Sequence, residues 1–387
     1  MGANDKRNYA KSKYAMNIFI CAVQFKGGSL QVVISLVKEF VKFPENSYYV
    51  VMSREVKKQL QGIEFPKNFH FFDLEYPTSN RLLNSFLRGK QLTKIEREAK
   101  ADCVICTSGP LYWTSKSPLL IGYNLPHLVY PESPYLKNIP LWMKLRWQVK
   151  WAVHKARYRK EAAAIFVQTE DVNQRLRKIL NTDRIYTISN TYNNAYDLQQ
   201  EFSNKLPERK DGEVRLLTLS AFYRHKNFEL IPRVIAELKR RGVENVRFVV
   251  TLPQDKFREA FGDNPPREVV NVGFVPTLEG ASLYKECDFM FLPTLLECFS
   301  ASYAEAMVME KPILTSDLGF AHTVCKDAAI YFDPENAGDV ADKLVSLLHS
   351  PELQAELVAK GRKQLSQFGS AHDRAVRILE LCKKIVI

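Results

Sequence analysis

The sequence of 387 residues has no apolar run near the 18 or more residues that a membrane-spanning helix needs. Its N-terminus lacks the apolar core of a signal peptide, and Lys6 stands where a myristoylation signal has Ser or Thr. We therefore expect a cytoplasmic chain in which residues 1–15 form a flexible extension and Met16 opens the folded part.

Glycine, proline and cysteine are sparse, with 16, 19 and 7 residues. This composition excludes collagen-like and low-complexity chains, and the odd number of scattered cysteines argues against a disulfide framework. Cys103 and Cys106 form a lone C-x-x-C inside an apolar run, with no second pair at the spacing of zinc ligands. We expect buried strand thiols in a reducing compartment.

The motifs of two large nucleotide-binding classes are also missing. The chain contains neither G-x-G-x-x-G nor G-x-x-x-x-G-K-[ST], which disfavours dinucleotide redox chemistry and P-loop hydrolysis. Instead, short β-branched apolar runs alternate with amphipathic stretches from Met16, and the alternation restarts at Val214. This pattern predicts two α/β domains with parallel sheets, joined by the polar linker 190–212, and two helices over 351–387.

The basic charge is confined to one half of the chain. Residues 1–190 hold 30 Lys and Arg against 15 Asp and Glu, whereas residues 191–387 hold 25 against 28. A half with this excess is expected to meet an anionic partner: a membrane surface, a nucleic acid or a phosphorylated substrate.

The strongest local motif is ECFSASYAE over residues 297–305, which leads from an apolar strand into a helix. Such a turn brings the N–H groups of Phe299, Ser300 and Ala301 and the positive helix end toward one point, which suits a pyrophosphate. The alternative is an ordinary capping box of Ser302 and Glu305, with Glu297 in solvent.

Three further motifs follow predicted strands. Arg224 and Lys226 precede Asn227, which is a candidate helix cap. These two basic residues either neutralise the oxygens of a bound phosphate or belong to an ordinary solvated loop. Gly27 and Gly28, after Lys26, allow close approach of a ligand or make a tight turn. His127 lies in an irregular Pro-rich stretch, so it is either a functional loop residue or an ordinary polar surface group.

Residues 137–160 carry eight Lys or Arg and no acidic residue. This composition predicts either a helix on an anionic membrane surface or a helix that buries its Trp residues. The candidate membrane-surface residues are Trp142, Lys144, Arg146, Trp147, Lys150 and Trp151.

Together these residues resemble the retaining glycosyltransferases of family 4, which have the GT-B fold of two facing Rossmann-like domains. The similarity covers nearly the whole chain from Met16. Its specific part runs from RHKN through the element around Glu297 and Glu305, the family's E-x7-E, to KPILTSDLGF and AAIYFDPENAGDVADKLVSLL. The resemblance implies an acceptor-side domain over 16–190, a nucleotide-sugar domain over 191–368 and a C-terminal helix over 369–387 that packs back on the first domain.

The resemblance also implies roles for the site residues. Glu297 would face donor sugar hydroxyls, Glu305 the ribose and His127 the donor sugar. Lys226 would bind the diphosphate, with Gly27 and Gly28 nearby. Where many members have a Gly-Arg pair this chain has Ser220 and Ala221, so Arg224 is the candidate partner cation.

The implied reaction needs no cofactor or metal, and the chain has no D-x-D motif. The donor would be a UDP- or GDP-linked sugar, and the acceptor a glycan or lipid-linked glycan of surface polysaccharide synthesis at the inner face of the membrane. The alternatives are a nucleotide-sugar epimerase, a phosphorylase, or a non-catalytic lipid- or RNA-binding protein. Because no single-strand RNA module is recognisable, no nucleic-acid partner is expected.

Overall fold

The computed structural model describes residues 15–23, 27–74, 81–111, 113–198 and 202–386. The predicted extension therefore lies outside the described residues except for Ala15, and so does Lys26.

The N-terminal domain is built on a parallel sheet of seven strands in the order β3-β2-β1-β4-β5-β6-β7. The short apolar runs form these strands because helices cover both faces of the sheet, and Ile18, Phe19 and Ile20 are fully buried. The strands are β1 (Asn17–Ala22), β2 (Ser47–Met52), β3 (Phe69–Asp73), β4 (Cys103–Cys106), β5 (Leu119–Gly122), β6 (Ala162–Val167) and β7 (Ile185–Thr187).

Helices connect these strands, as parallel pairing requires. Ser53 and Thr169 cap two of them by accepting from the N–H groups of Val56 and Val172. The helices are α1 (Gly28–Phe40), α2 (Arg54–Leu60), α3 (Arg81–Ala99), α4 (Pro126–Val129), α5 (Pro134–Lys137), α6 (Leu141–Glu161) and α7 (Glu170–Leu180).

The C-terminal domain repeats this architecture with six parallel strands in the order β10-β9-β8-β11-β12-β13. Its strands are β8 (Val214–Thr218), β9 (Val246–Val250), β10 (Val269–Asn271), β11 (Phe289–Leu292), β12 (Ile313–Ser316) and β13 (Ala329–Phe332). Its helices are α8 (Leu230–Arg240), α9 (Gln254–Phe261), α10 (Gly280–Lys285), α11 (Ala301–Val308), α12 (Gly319–Cys325), α13 (Ala337–Leu348) and α14 (Pro351–Leu365), followed by α15 (Ala371–Val386). Short 3₁₀ helices span Asn194–Asp197, Arg224–Lys226 and Thr277–Glu279.

Helix α15 crosses back to the N-terminal domain. Its Ile378 and Cys382 are fully buried in the same apolar cluster as Ile18 of β1. Arg374 of α15 donates to Ser35 Oγ of α1 at 2.9 Å and to Asn190 Oδ1. The predicted arrangement of two parallel-sheet domains with a returning helix is thus confirmed.

The cysteines are structural in position. All seven are buried and free, and Cys103 and Cys106 both lie on β4. The prediction of buried strand thiols is therefore confirmed.

Candidate functional site

Both sheets present their site residues at the point where the strand order reverses. In the N-terminal sheet this switch lies between β1 and β4, and in the C-terminal sheet between β8 and β11. Ligands of open α/β sheets bind in the crevice at the carboxyl ends of such strands. Gly27 follows β1, Lys226 follows β8, and Glu297 follows β11, so these three motifs border one cleft between the domains.

Lys226 and Glu297 form an ion pair at the centre of this cleft. Their side chains are only 11% and 14% exposed, which makes the pair partly desolvated. The His225 carbonyl holds the loop after β11 in place, because it accepts a hydrogen bond from Leu295 N at 2.7 Å and lies 3.2 Å from Thr294 Oγ1. Thr294 Oγ is also 3.3 Å from Glu297 Oε1. The loops after β8 and β11 are therefore tied together.

Asn227 does not cap a helix, so that expectation is wrong. It adopts a left-handed conformation with φ of 57° and ends the 3₁₀ helix Arg224–Lys226. Its Nδ2 donates to the Pro334 carbonyl at 3.0 Å, and α8 begins only at Leu230. Glu229, not Asn227, occupies the N-cap position of α8, and the contact with Pro334 anchors the loop carrying Lys226.

The N-terminus of α11 also differs from the capping-box alternative, which is wrong. Ser300 occupies the N-cap position, and Ser302 Oγ donates to the Leu219 carbonyl at 3.1 Å. Within the described part of the chain, no protein group accepts from the N–H groups of Phe299, Ser300 and Ala301. These donors and the adjacent positive helix end lie beside Glu297, where they suit an anionic ligand.

Glu305 lies one turn into α11 and is half-buried. Burial raises the pKa of its carboxyl to about 7, and the nearby Tyr196 hydroxyl opposes the rise. Near neutral pH this carboxyl therefore exists in both protonation states.

The N-terminal domain contributes an aromatic wall around His127 of α4. The His127 ring centroid lies 4.5 Å from that of Trp147, 6.1 Å from that of Tyr135 and 6.2 Å from that of His225 across the cleft. Burial, reinforced by the charge of Lys150, lowers the pKa of His127 to about 4. Burial and the Lys226 charge lower the pKa of His225 to about 3. Both rings are neutral at pH 7.

Gly27 and Gly28 begin α1 at the edge of the cleft. Gly27 has φ of 70°, a conformation that favours glycine, and a Cβ there would lie 3.6 Å from the Tyr223 hydroxyl of the other domain. Arg224 is exposed beside Tyr223. Its charge opposes the rise that burial causes in the pKa of Tyr135, so Arg224 faces the aromatic wall.

Helix α6 has two different faces. Trp147 and Trp151 are half-buried, with ring centroids 6.0 Å apart, and Trp147 contacts His127. Trp142 is 62% exposed and continues a solvent-facing apolar stripe. This stripe, hereafter the α6 stripe, consists of Leu141, Trp142, Leu145, Val149 and Val153.

Basic side chains accompany the α6 stripe. Arg146 and Lys150 are exposed, and neither has an acidic partner among the described residues. Lys144 is half-buried and donates to the Lys137 carbonyl at 2.9 Å. The six predicted membrane-surface residues therefore divide between an outer face and the wall of the cleft.

Sequence patterns do not single out four residues of the site: Tyr135, Tyr196, His225 and Thr294. His225 lies inside the RHKN motif, which is the one available signal. Tyr135 and Thr294 carry no spacing pattern, and Tyr196 belongs to the polar linker.

The described segments hold no group of three or more His, Cys, Asp or Glu side chains arranged to bind a metal ion. Nor do they contain a helix whose length and apolar character would allow it to cross a bilayer.

Known proteins show the same architecture. Residues 199–364 match the family described as glycosyl transferases group 1. An uncharacterized glycosyltransferase of Methanocaldococcus jannaschii is 24% identical over 241 residues, 57% of this chain. The match spans 61% of that relative, less than two thirds of its length.

Among solved structures, Anabaena HepE in complex with UDP and glucose superposes with a TM-score of 0.69 at 14% identity, covering 95% of this chain and 100% of that one. WaaG, a glycosyltransferase involved in lipopolysaccharide biosynthesis, also gives 0.69 at 14% identity, covering 94% and 99%. These similarities extend over both domains and establish the GT-B fold. Residues 199–364, which hold Lys226, Glu297 and Glu305, are thus similar to the glycosyl transferases group 1 model, in a chain that has the GT-B fold.

Proposed function

We propose that this chain is a retaining, metal-independent glycosyltransferase. It transfers a sugar from a UDP- or GDP-linked donor to a glycan or lipid-linked acceptor in surface polysaccharide synthesis. The observation that carries the proposal is the partly desolvated Lys226–Glu297 pair at the switch point of the C-terminal sheet, beside the N-terminus of α11 and opposite His127.

The donor diphosphate binds between Lys226, Arg224 and the N-terminus of α11. A lysine ammonium has three N–H donors, so Lys226 can hold Glu297 with one and phosphate oxygens with the others. Breaking the sugar–phosphate bond leaves negative charge on the departing nucleoside diphosphate. Fixed cations and backbone N–H groups stabilise that charge without reorganisation, which supports a reaction that needs no metal.

The two carboxylates bind the hydroxyls of the donor sugar and of the ribose. Glu297, held by Lys226 and Thr294, accepts hydrogen bonds from sugar hydroxyls, and Glu305 accepts from ribose hydroxyls. Neutral His127 lies over the opposite side of the sugar and can donate or accept one hydrogen bond. The likeness to the family supports retention by front-face attack, in which the leaving phosphate takes the acceptor's proton.

The acceptor reaches the site from an anionic membrane surface on which α6 rests. The α6 stripe enters the headgroup region, while Arg146 and Lys150 meet anionic lipid. Trp147 and Trp151 connect this face to His127, so an acceptor arriving along α6 meets the donor sugar directly. WaaG, of the same fold and involved in lipopolysaccharide synthesis, supports this class of acceptor.

A screen of UDP- and GDP-linked sugars tests the proposal. Release of nucleoside diphosphate is measured with and without lipid-linked acceptors, and the anomeric configuration of the product is read by NMR. We expect acceptor-dependent release with retained configuration. An inverted product contradicts retention, and an isomerised nucleotide sugar without transfer identifies an epimerase instead.

A further inference from the structure

Ser133 joins the two domains through a buried hydrogen bond. It lies between α4 and α5 of the N-terminal domain and is only 3% exposed. Its hydroxyl donates to the Leu295 carbonyl of the C-terminal domain at 2.7 Å. The same oxygen accepts from Tyr135 N at 3.2 Å, as the N-cap of α5. The hydroxyl therefore uses its one proton across the domain boundary and a lone pair within its own domain.

The partner of this hydroxyl belongs to the loop that carries Glu297. Leu295 N donates to the His225 carbonyl at 2.7 Å, which ties the loop after β11 to the loop after β8. Leu295 is two residues before Glu297, and Glu297 pairs with Lys226. The hydrogen bond from the N-terminal domain thus acts on the same short loop that holds the ion pair at the centre of the cleft.

Ser133 is also connected along its own chain to the residues around His127. Ser133 N donates to the Tyr130 carbonyl at 3.1 Å, and Tyr130 N donates to the Pro126 carbonyl at 3.0 Å. Pro126 and His127 are the first two residues of α4. Ser133 and His127 are therefore parts of one continuous hydrogen-bonded segment.

This segment is held on the N-terminal domain by Arg175 of α7. The Arg175 guanidinium donates to the Val129 carbonyl at 3.0 Å and to Glu132 Oε1 at 2.6 Å. It also lies over the Tyr130 ring, 4.7 Å from the centroid. The Tyr130 ring in turn contacts Phe320 of α12, with centroids 6.0 Å apart. The segment is thus fixed to its own domain and packs against the other one.

The Ser133 hydrogen bond sets the register between the domains more strictly than the ring contacts do. Apolar and aromatic contacts such as that of Tyr130 with Phe320 are not strongly directional, whereas a hydrogen bond weakens steeply when its angle is bent. Because the site is buried, a shift of the domains would also leave the Leu295 carbonyl without a donor and without water. The closed arrangement that faces His127 toward Glu297 is therefore favoured over neighbouring ones.

We propose that Ser133 is a positioning residue for sugar transfer, which sets His127 of the N-terminal domain in register with Glu297 of the C-terminal domain. This inference rests on the proposed function, in which these two side chains lie on opposite sides of the donor sugar. The Ser133 hydroxyl is engaged by Tyr135 and Leu295, so it acts through the Leu295 loop rather than on the sugar.

Kinetics of nucleoside diphosphate release from UDP- and GDP-linked sugars, with calorimetry of free UDP and GDP, tests the inference on the full chain. Ser133→Ala should lower kcat roughly three- to tenfold, the effect of one lost hydrogen bond. Affinity for free UDP or GDP should change by less than about twofold, because the groups proposed to bind the diphosphate belong to the C-terminal domain. Ser133→Thr keeps a hydroxyl and should retain kcat to within about twofold.

Two further variants separate positioning from the capping of α5. Glycine is nearly as favourable as serine at an N-cap, whereas alanine is not, so Ser133→Gly removes the bond to Leu295 at little cost to the cap. Ser133→Gly should therefore lose as much kcat as Ser133→Ala. Ser117→Ala is the matched control, because Ser117 Oγ donates to the Ala101 carbonyl at 2.8 Å within the N-terminal domain. Its kcat should equal that of the wild type.

The outcomes separate this inference from the proposed function. An unchanged kcat in Ser133→Ala overturns the inference alone, as does a wild-type kcat in Ser133→Gly, which would assign the hydroxyl to capping. A Ser133→Thr variant no better than Ser133→Ala, or a loss of nucleotide affinity as large as the loss of kcat, overturns it as well. If the wild-type protein transfers no sugar from these donors, the proposed function fails and this inference fails with it.

Discussion

Lys226 and Glu297 are 71 positions apart in the chain, yet they form an ion pair in the cleft between the two domains. The pair exists because β8 and β11 are neighbours in the sheet and because the His225 carbonyl binds the loop after β11. It sets a cation and a carboxylate side by side, as a ligand with both phosphates and hydroxyls requires.

Replacing Lys226 with Ala should weaken nucleoside diphosphate binding about 10- to 100-fold. The reason is that a charge-assisted hydrogen bond to phosphate contributes about 1.5 to 3 kcal/mol. Calorimetry with UDP and GDP measures the effect, and Lys343→Ala on the exposed surface is the control. Thermal unfolding separates lost binding from the cost of leaving Glu297 unpaired. Undiminished affinity would move the phosphate site elsewhere.

Substitutions of the two carboxylates of the E-x7-E element should have different effects. Glu305→Gln should weaken the binding of free nucleoside diphosphate, because the amide nitrogen cannot accept a hydrogen bond from a ribose hydroxyl. Glu297→Gln should change that affinity by less than about twofold. It should lower turnover by roughly tenfold or more, because one charge-assisted contact to the reacting sugar is lost. Equal losses of nucleotide affinity in both variants would refute the assignment.

The neutral histidines predict acid sensitivity of the fold. The pKa values of His127 and His225 lie below the ordinary 6.5, so the unfolded chain binds more protons between pH 6.5 and 4. Stability should therefore fall as the pH drops through this range. His127→Gln should recover roughly 2 kcal/mol of that loss, given about 1.4 kcal/mol per pKa unit and partial solvent exposure. Urea unfolding at both ends of the range checks this, and an identical loss in variant and wild type argues against it.

Membrane binding through α6 should need both charge and the α6 stripe. Cosedimentation with phosphatidylcholine vesicles, with and without phosphatidylglycerol, should show much stronger binding to the anionic vesicles, and less at high salt because the Debye length is about 8 Å at physiological ionic strength. Changing Lys144, Arg146 and Lys150 to Glu should reduce binding at least 100-fold, at about 1 kcal/mol per basic residue.

Two further variants separate the contributions to membrane binding. Changing Lys210, Lys343 and Lys363 to Glu alters net charge equally on the exposed surface of the other domain and should have little effect. The double variant Leu145→Asn with Val149→Asn should lose the part of the vesicle binding that persists at high salt. Equal binding to neutral vesicles, or indifference to the triple change in α6, would favour a soluble acceptor.

Much of the architecture could be predicted because apolar runs of strand length alternate with amphipathic segments, and only a parallel sheet buries such runs on both faces. Glu297, Glu305 and Lys226 could be nominated because local spacing and family resemblance both point to them. The pairing of Lys226 with Glu297 could not be predicted, since it depends on which strands become neighbours.

Other features of the site depend on orientation that composition does not encode. The three Trp residues of α6 look alike in the sequence, but helical phase turns Trp147 and Trp151 inward and Trp142 outward. Leu145 and Val149 would be assigned to a core by hydrophobicity alone, yet both are exposed. Asn227 favours a cap by residue type, but its contact with Pro334 and its left-handed backbone prevail.

Metal-independent transfer is best tested by nucleoside diphosphate release from UDP- and GDP-linked sugars in the presence of EDTA, comparing wild type with Glu297→Gln. We expect release by the wild type at an unchanged rate in EDTA and a strong reduction in the variant, since Lys226, Arg224 and the N-terminus of α11 stabilise the charge of the leaving group. Release that occurs only after Mg²⁺ or Mn²⁺ is added, or that is equal in both proteins, would contradict it.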